Sequence, residues 1–304
     1  TLRPANSGTA GAMITFTAYP GDECKGEFAG TKSGCRVVID GQRTLTTGVD
    51  LGNDNYIRIE GFEIKNFLYN AVFVRIWTDS TKPADSIEVI NNFIHDNGVD
   101  ILTGDFNKII QAECTSNLTV ENNEIWRNSG TAIQFGCVDL ALANNITVRA
   151  NNVHYNGKDG VRAGGQNVLI ELNHMYDQFH TTTHQDGLDL AGPWRNLVIR
   201  YNTIYDFTQN IYFPLKDEPD RFAENVEIYG NIVYTNRFSS ETPGGANAPN
   251  IFIDARQYAT SFARNVSIHS NTLGPTGYDA DSGGALASSL LTGYIENVKI
   301  YNNI

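Results

Sequence analysis

The stretch His180-Thr-Thr-Thr-His184-Gln-Asp186-Gly-Leu-Asp189 places two of the chain's six histidines and two carboxylates within ten residues. Side chains of these types move protons and hold cations. His184 titrates near neutral pH in its ordinary state, which suits a general base. Asp159 and Arg162 stand upstream in Lys158-Asp-Gly-Val-Arg162; Tyr212, Lys216 and Asp217 follow downstream, and Asp254 and Arg256 lie further along. Tyr212 is a phenol that can protonate a leaving oxygen, and Arg162 or Lys216 can pair with an anionic substrate group. Asp159, Asp186 and Asp189 are the oxygen donors that a hard cation such as Ca²⁺ prefers, so Ca²⁺ is the one cofactor this set implies. Two of the same aspartates, about 5–5.5 Å or 6.5–9.5 Å apart, would instead suit acid–base cleavage of a glycosidic bond.

Each residue also has a plainer reading. Asp159 and Asp186 both precede glycine, and Asp-Gly is a common turn dipeptide. Arg162 and Asp189 could form a surface ion pair worth under about 1 kcal/mol. His184 could be a turn residue, and His95, His154, His174 and His269 read as turn or surface residues.

What would bring these residues together is a repeat. Ser86-Ile-Glu-Val-Ile-Asn-Asn-Phe-Ile94 recurs as Asn117–Ile125, Asn145–Val153, Asn167–Met175, Asn196–Ile204, Asn225–Val233, Asn265–Leu273 and Asn297–Ile304. One asparagine keeps its place: Asn92, Asn123, Asn151, Asn173, Asn202, Asn231, Asn271 and Asn303, at spacings of 22 to 40 residues. An earlier copy, Tyr56–Ile64, carries Phe62 there. Short strands with alternating apolar residues cannot bury their apolar face alone, so the units must stack as coils with parallel pairing. The repeated asparagine suits a left-handed turn, and stacked amides can hydrogen-bond from coil to coil. The expected fold is all-β: a single-stranded right-handed parallel β-helix of about nine or more coils.

A second short strand follows each repeat. Aligning Val72–Val74, Ile101–Thr103, Ile133–Phe135, Val161–Ala163, Leu188–Leu190, Ile211–Phe213 and Ile251–Ile253 gives an outward column of Phe73, Leu102, Gln134, Arg162, Asp189, Tyr212 and Phe252. Its centre is polar and its ends apolar, as in a groove with a reactive middle. By strict alternation Asp186, three residues before Asp189, does not share its face and falls in the turn leading into the strand. His184, Asp186, Asp189, Arg162 and Tyr212 are the catalytic candidates. Gln134, Asp159, His180, Lys216, Phe252, Asp254 and Arg256 are the substrate-binding candidates.

The repeat over residues 54–304 resembles that of pectate lyases, alginate lyases, polygalacturonases and mannuronan epimerases. The stretches Ser7–Ile14, Ala18–Gly21 and Val38–Gly41 look like entry coils of such secreted proteins. His184-Gln-Asp186-Gly is similar to His-x-Asp-Gly segments in secreted bacterial β-helix proteins thought to act on carbohydrates. The resemblance implies a polysaccharide-degrading enzyme, foremost a lyase that cleaves a uronate polymer by β-elimination. A glycoside hydrolase is the alternative, an epimerase a lesser one, and a non-catalytic fibre, adhesin or surface module the rival from another class. The Asn-Thr-Asp, Gly-His-Gly and Arg-Ile-Lys signatures of polygalacturonases and the Asp-Pro-His motif of mannuronan epimerases are absent.

Composition fits this organisation. The 304 residues are 41% hydrophobic, only 18% charged, and include 28 glycines. A net charge of −12 argues against nucleic acid as a partner. No apolar run is long enough to span a membrane. Cys24 and Cys35 flank a glycine-rich loop, and Cys114 and Cys137 lie one coil apart. The expected disulfides are Cys24–Cys35 and Cys114–Cys137, with an extracellular or periplasmic location; four reduced thiols are the alternative. The expected organisation is one domain, 1–304, with entry coils over 1–53 and regular coils over 54–304. The abrupt start at Thr1 and the pattern running into Ile304 suggest a longer natural chain. The Gly/Pro-rich segment 237–249 is a candidate groove wall, and 274–293, rich in Gly and Ser, is a candidate extra turn or edge cover.

Overall fold

The computed structural model describes residues 1–22, 37–74, 83–99, 107–137, 139–176, 185–215, 219–235, 250–254, 258, 260–276, 286–289 and 294–304. Its strands form three parallel sheets. The first has ten strands, from Ile14–Thr17 to Tyr294–Tyr301; the second has nine, from Val38–Asp40 to Thr272–Thr276. The third, also of nine, runs from Thr47–Gly52 to Leu286–Ser289. Each complete coil contributes one strand to each sheet, and each strand pairs with its counterparts one coil away, which is the parallel β-helix that the repeat predicts. Among the described residues the helical exception is one 3₁₀ turn, Leu140–Leu142.

Apolar alternation builds the core. In the first sheet Ile59, Val89, Val120, Val148, Ile170, Ile199, Ile228 and Ile268 occupy one register position and are all at most 1% exposed. No single coil could bury these side chains; stacking does so by covering each with the equivalent residue of the next coil.

The repeated asparagine does stack, though not as a left-handed residue. Left-handed φ falls on the residue before it: Asn91, Asn122, Ala150, Leu172, Tyr201, Gly230, Ser270 and Asn302. It falls also on the residue that opens each repeat, from Ser86 and Asn117 to Asn297. The repeated asparagine points into the solenoid instead. Asn151 Nδ2 donates to Val120 O at 2.9 Å and to Asn173 Oδ1 at 3.0 Å, and its own Oδ1 accepts from Asn123 N and Nδ2, both at 3.0 Å. The same bonds run from Asn92 to Asn303, with Phe62 N closing the series on Asn92 Oδ1. The amide thus satisfies backbone groups that the turn leaves without partners inside the core.

In one coil the alignment of the second strand is corrected. Lys108–Glu113 supplies the third-sheet strand there, pairing with Thr131–Gly136, so Gln111 rather than Leu102 fills the column between Phe73 and Gln134. Leu102 lies outside the described residues. The repeat unit did not mark this strand because its sequence, Lys-Ile-Ile-Gln-Ala-Glu, sits beyond the expected distance from Ile94.

Candidate active site on the third sheet

The third sheet breaks simple alternation in a way that builds the site. Thr47–Gly52, Asn70–Val74 and Lys108–Glu113 each begin with a half-buried residue, two buried ones and another half-buried one. The second residue of each group faces the core together with the third. A Cβ on Gly187 would stand 2.6 Å from the Ile204 side chain, and one on Gly160 would approach Met175 Sδ at 3.3 Å. Residues i and i+3 therefore both face outward. This overturns the placement of Asp186 away from the face of Asp189: the inward pair Gly187-Leu188 resets the phase between them.

Two outward columns result. Gln111, Gln134, Arg162, Asp189, Tyr212 and Phe252 are consecutive register partners in one. Lys108 pairs with Thr131 and Asp186 with Gln209 in the other, and Asp159 lies between them. Asp159, Asp186 and Asp189 offer carboxylate oxygens that all lie within 4.8 Å of one another. Their exposures are 1%, 3% and 7%, so these charges share a nearly dry setting.

Local bonds hold the cluster. Thr131 Oγ1 donates to Asp159 Oδ2 and the Asp186 amide donates to Asp159 Oδ1, both at 3.2 Å. Arg162 Nε lies 3.3 Å from Asp189 Oδ2. Burial pushes the Asp189 carboxyl up to about 8, and the negative charges of Asp159 and Asp186 add to this against the pull of Arg162 and Lys158. Burial also raises Asp159. Lys108 is held below the usual lysine range by its half-buried setting, opposed by Glu113 and reinforced by Arg162 and Lys158. Beside the cluster the Tyr212 hydroxyl donates to Asp254 Oδ2 at 3.5 Å, and the Tyr212 ring stacks on Phe252 at 5.5 Å between centroids.

Gln134 and Arg162 of the first column also face a groove of about 1100 Å³ where the third sheet turns toward the first, while the three aspartates lie beside it and do not line it. Gln134, Arg162, Arg195 and Arg221 line it together with Phe222 and the Cys114–Cys137 disulfide, whose Cα atoms are 4.7 Å apart. Gly164 and Gly192 also line it and pack backbone to backbone: a Cβ on Gly192 would stand 2.5 Å from Gly164 Cα.

The structure brings together Gln134, Asp159, Arg162, Asp186, Asp189, Tyr212, Phe252 and Asp254. His180, His184, Lys216 and Arg256 lie outside the described residues, as do Cys24 and Cys35. The sequence reading passed over Lys108, Thr131 and Gln209. Their signal was the doublet that each precedes: Ile109-Ile110, Ala132-Ile133 and Asn210-Ile211, matching Gly160-Val161 and Gly187-Leu188. The histidines read as turn or surface residues also have closer company. His95, Trp126, His154, Tyr176, Tyr205 and Tyr234 form a continuous ring stack on the second sheet.

Residues 36–162 match the family model described as a right-handed beta helix region. The fold is similar to the A-modules of two Azotobacter vinelandii mannuronan C-5 epimerases. For AlgE4 the identity is 14%, covering 87% of this chain and 68% of that one, with a TM-score of 0.54. For AlgE6 it is 13%, covering 86% and 72%, with a TM-score of 0.50. Comparison with curated proteins finds no match. At such identities the likeness speaks to architecture alone: the chain is a right-handed parallel β-helix. Among the described residues no helix is long and apolar enough to cross a membrane.

Proposed function

We propose that this protein is an extracellular polysaccharide-active enzyme, foremost a lyase on a uronate polymer, with its centre at Asp159, Asp186, Asp189 and Arg162. One observation carries the reading: three buried carboxylates within 4.8 Å of one another beside a guanidinium, Arg162, that itself lines an open groove. An anionic substrate is supported by the cations collected there. In a chain of net charge −12, Lys158 and Arg162 lie close enough to Lys108 to lower it, and Arg195 and Arg221 line the groove.

The carboxylate set fits a divalent cation of the calcium type. Oxygens on opposite sides of Ca²⁺, each about 2.4 Å from it, are about 4.8 Å apart at most. Gln209, 6% exposed and in register with Asp186, adds an amide oxygen that is buried without a hydrogen-bond partner among the described residues. Such an ion supplies positive charge against a uronate carboxylate. The chain's own groups do the rest. Arg162 orients the substrate carboxylate. A base, His184 in the assignment from sequence or Lys108 on this wall, takes the C5 proton. The C5–H electrons form the C4=C5 double bond as the C4–O bond breaks, and Tyr212 protonates the departing oxygen.

A glycoside hydrolase is the second reading, and the oxygen separations favour it specifically: they suit the closely spaced carboxyl pair of a retaining enzyme better than the wider inverting pair. A panel of uronate and neutral polysaccharides separates the two. Ultraviolet-absorbing unsaturated ends are expected from uronate polymers. New reducing ends without that absorbance would assign hydrolysis, and no turnover across the panel would remove both.

A further inference from the structure

The corner between the first and second sheets carries a surface that the groove does not use. At this corner each described coil places one residue at left-handed φ; in most it is Asn or Gly, which tolerate that conformation, and Ala150 and Ser270 are at least small. Two adjacent coils instead use large apolar residues, Leu172 at φ 57° and Tyr201 at φ 56°. Both are turned to solvent, 48% and 52% exposed. A bulky side chain in a strained conformation gains nothing for the fold when it is half in water, so the pair points to a contact outside the chain.

The surroundings are built for one kind of contact. The next coil has Gly230 at the corner, and a Cβ there would stand 2.6 Å from Tyr201 Cδ1 and Cε1, so the glycine is what lets the ring reach across the coil. The Tyr201 ring is turned 84° from Tyr229, 5.5 Å away, while Tyr229 lies in the stack continued by His269 and Tyr301. Tyr201 therefore runs along the solenoid axis instead of joining the ladder. Arg200 is fixed beside it: Nε donates to Glu171 Oε2 at 2.7 Å, Nη1 donates to the Tyr229 hydroxyl at 2.9 Å, and Cζ lies 5.7 Å from the Tyr201 ring centroid. Ile232, 46% exposed, stands two residues past Gly230, in register with Thr203 on the second sheet.

We infer that Tyr201, flanked by Leu172 and Ile232 and edged by Arg200, is a second carbohydrate-binding site that holds a pyranose of a long polysaccharide outside the groove. The chemistry matches that ligand. A pyranose offers an apolar face of C–H groups to an exposed aromatic ring, and ring hydroxyls at its rim meet an arginine that the buried Glu171 already holds in place, so little side-chain freedom is lost on binding. The inference rests on the reading of the protein as polysaccharide-active, but not on the reaction performed in the groove.

Affinity electrophoresis through gels containing each polysaccharide of the panel tests it, using the full chain, Tyr201→Ala, Tyr201→Phe and Asp189→Asn. At least one polymer should retard the parent, Tyr201→Ala should lose that retardation about five- to tenfold, and Tyr201→Phe should keep it. Asp189→Asn should lose turnover and keep retardation, which separates failure of this site from failure of the groove. Turnover of short oligosaccharides should be the same in Tyr201→Ala as in the parent. Equal retardation of the parent and Tyr201→Ala, or no retardation of the parent by any polymer, overturns the inference.

Discussion

Asp189 is where the proposed chemistry and the stability of this protein meet. Its carboxyl sits with two others in a nearly dry wall and keeps its proton up to about pH 8. Replacing it with asparagine keeps the shape and removes the ionisable group, so Asp189→Asn should cut turnover at least about a hundredfold, the range typical of acid–base groups. Asp186→Asn should do the same. Initial rates on the responsive polymer check both. The pH dependence follows from the sign of the shift. Between about pH 4 and pH 8 the folded protein binds a proton at Asp189 that the unfolded chain releases, so folding is favoured at the acid end and loses stability as pH rises through that window. In chelator, the melting temperature should fall from pH 5 to pH 8, and Asp189→Asn should flatten that slope. These residues were legible in the sequence as a list of chemical types. Their arrangement was only half legible, because alternation assigns Asp186 and Asp189 to opposite faces, and only a small residue at position 187, turned inward against Ile204, reveals otherwise. Gln209 and Lys108 were hidden for the same reason: each owes its place to a doublet of inward residues rather than to any catalytic signature.

The strands and turns were easier to read. The asparagine spacing gave the coil, and the first two sheets follow it copy by copy. What the repeat could not say was which asparagine does which job. The exposed ones take left-handed φ and bond to each other along the surface, as Asn196 Nδ2 does to Asn167 Oδ1 at 2.8 Å. The buried ones carry the turn's backbone bonds through the core. Removing a buried one strands several polar groups at once, each costing about 1–3 kcal/mol. Asn151→Ala, which leaves Val120 O and the Asn123 amide without their partner, should therefore destabilise the fold by at least about 3 kcal/mol. Asn196→Ala on the surface, which loses an exposed bond and leaves alanine at φ 56°, should cost about 1–2 kcal/mol. Urea unfolding of the two variants checks the contrast, and similar losses would contradict the division of labour between the columns.

The molecule as a whole is a rigid ruler of stacked coils. Stacking fixes the separation of every side chain in a column by the spacing of strands, so loops need not position the reacting groups that lie on the sheet. The Cys114–Cys137 link spans one coil beside the groove, closing a loop of 23 residues. Loop entropy assigns such a link about 3 kcal/mol, so the Cys114→Ser, Cys137→Ser double variant should melt several degrees lower and should turn over substrate less well as the groove edge loosens. Equal melting temperatures for the double variant and the parent would show that stacking alone secures that coil.

The most direct test of the central claim is a crystal structure of Asp189→Asn bound to an oligosaccharide of the polymer that the parent turns over. The account predicts a sugar ring within hydrogen-bond reach of Asp186 and Arg162, with the chain leaving across Gly164 and Gly192. An oligosaccharide bound productively elsewhere, with the carboxylate cluster untouched, would contradict it.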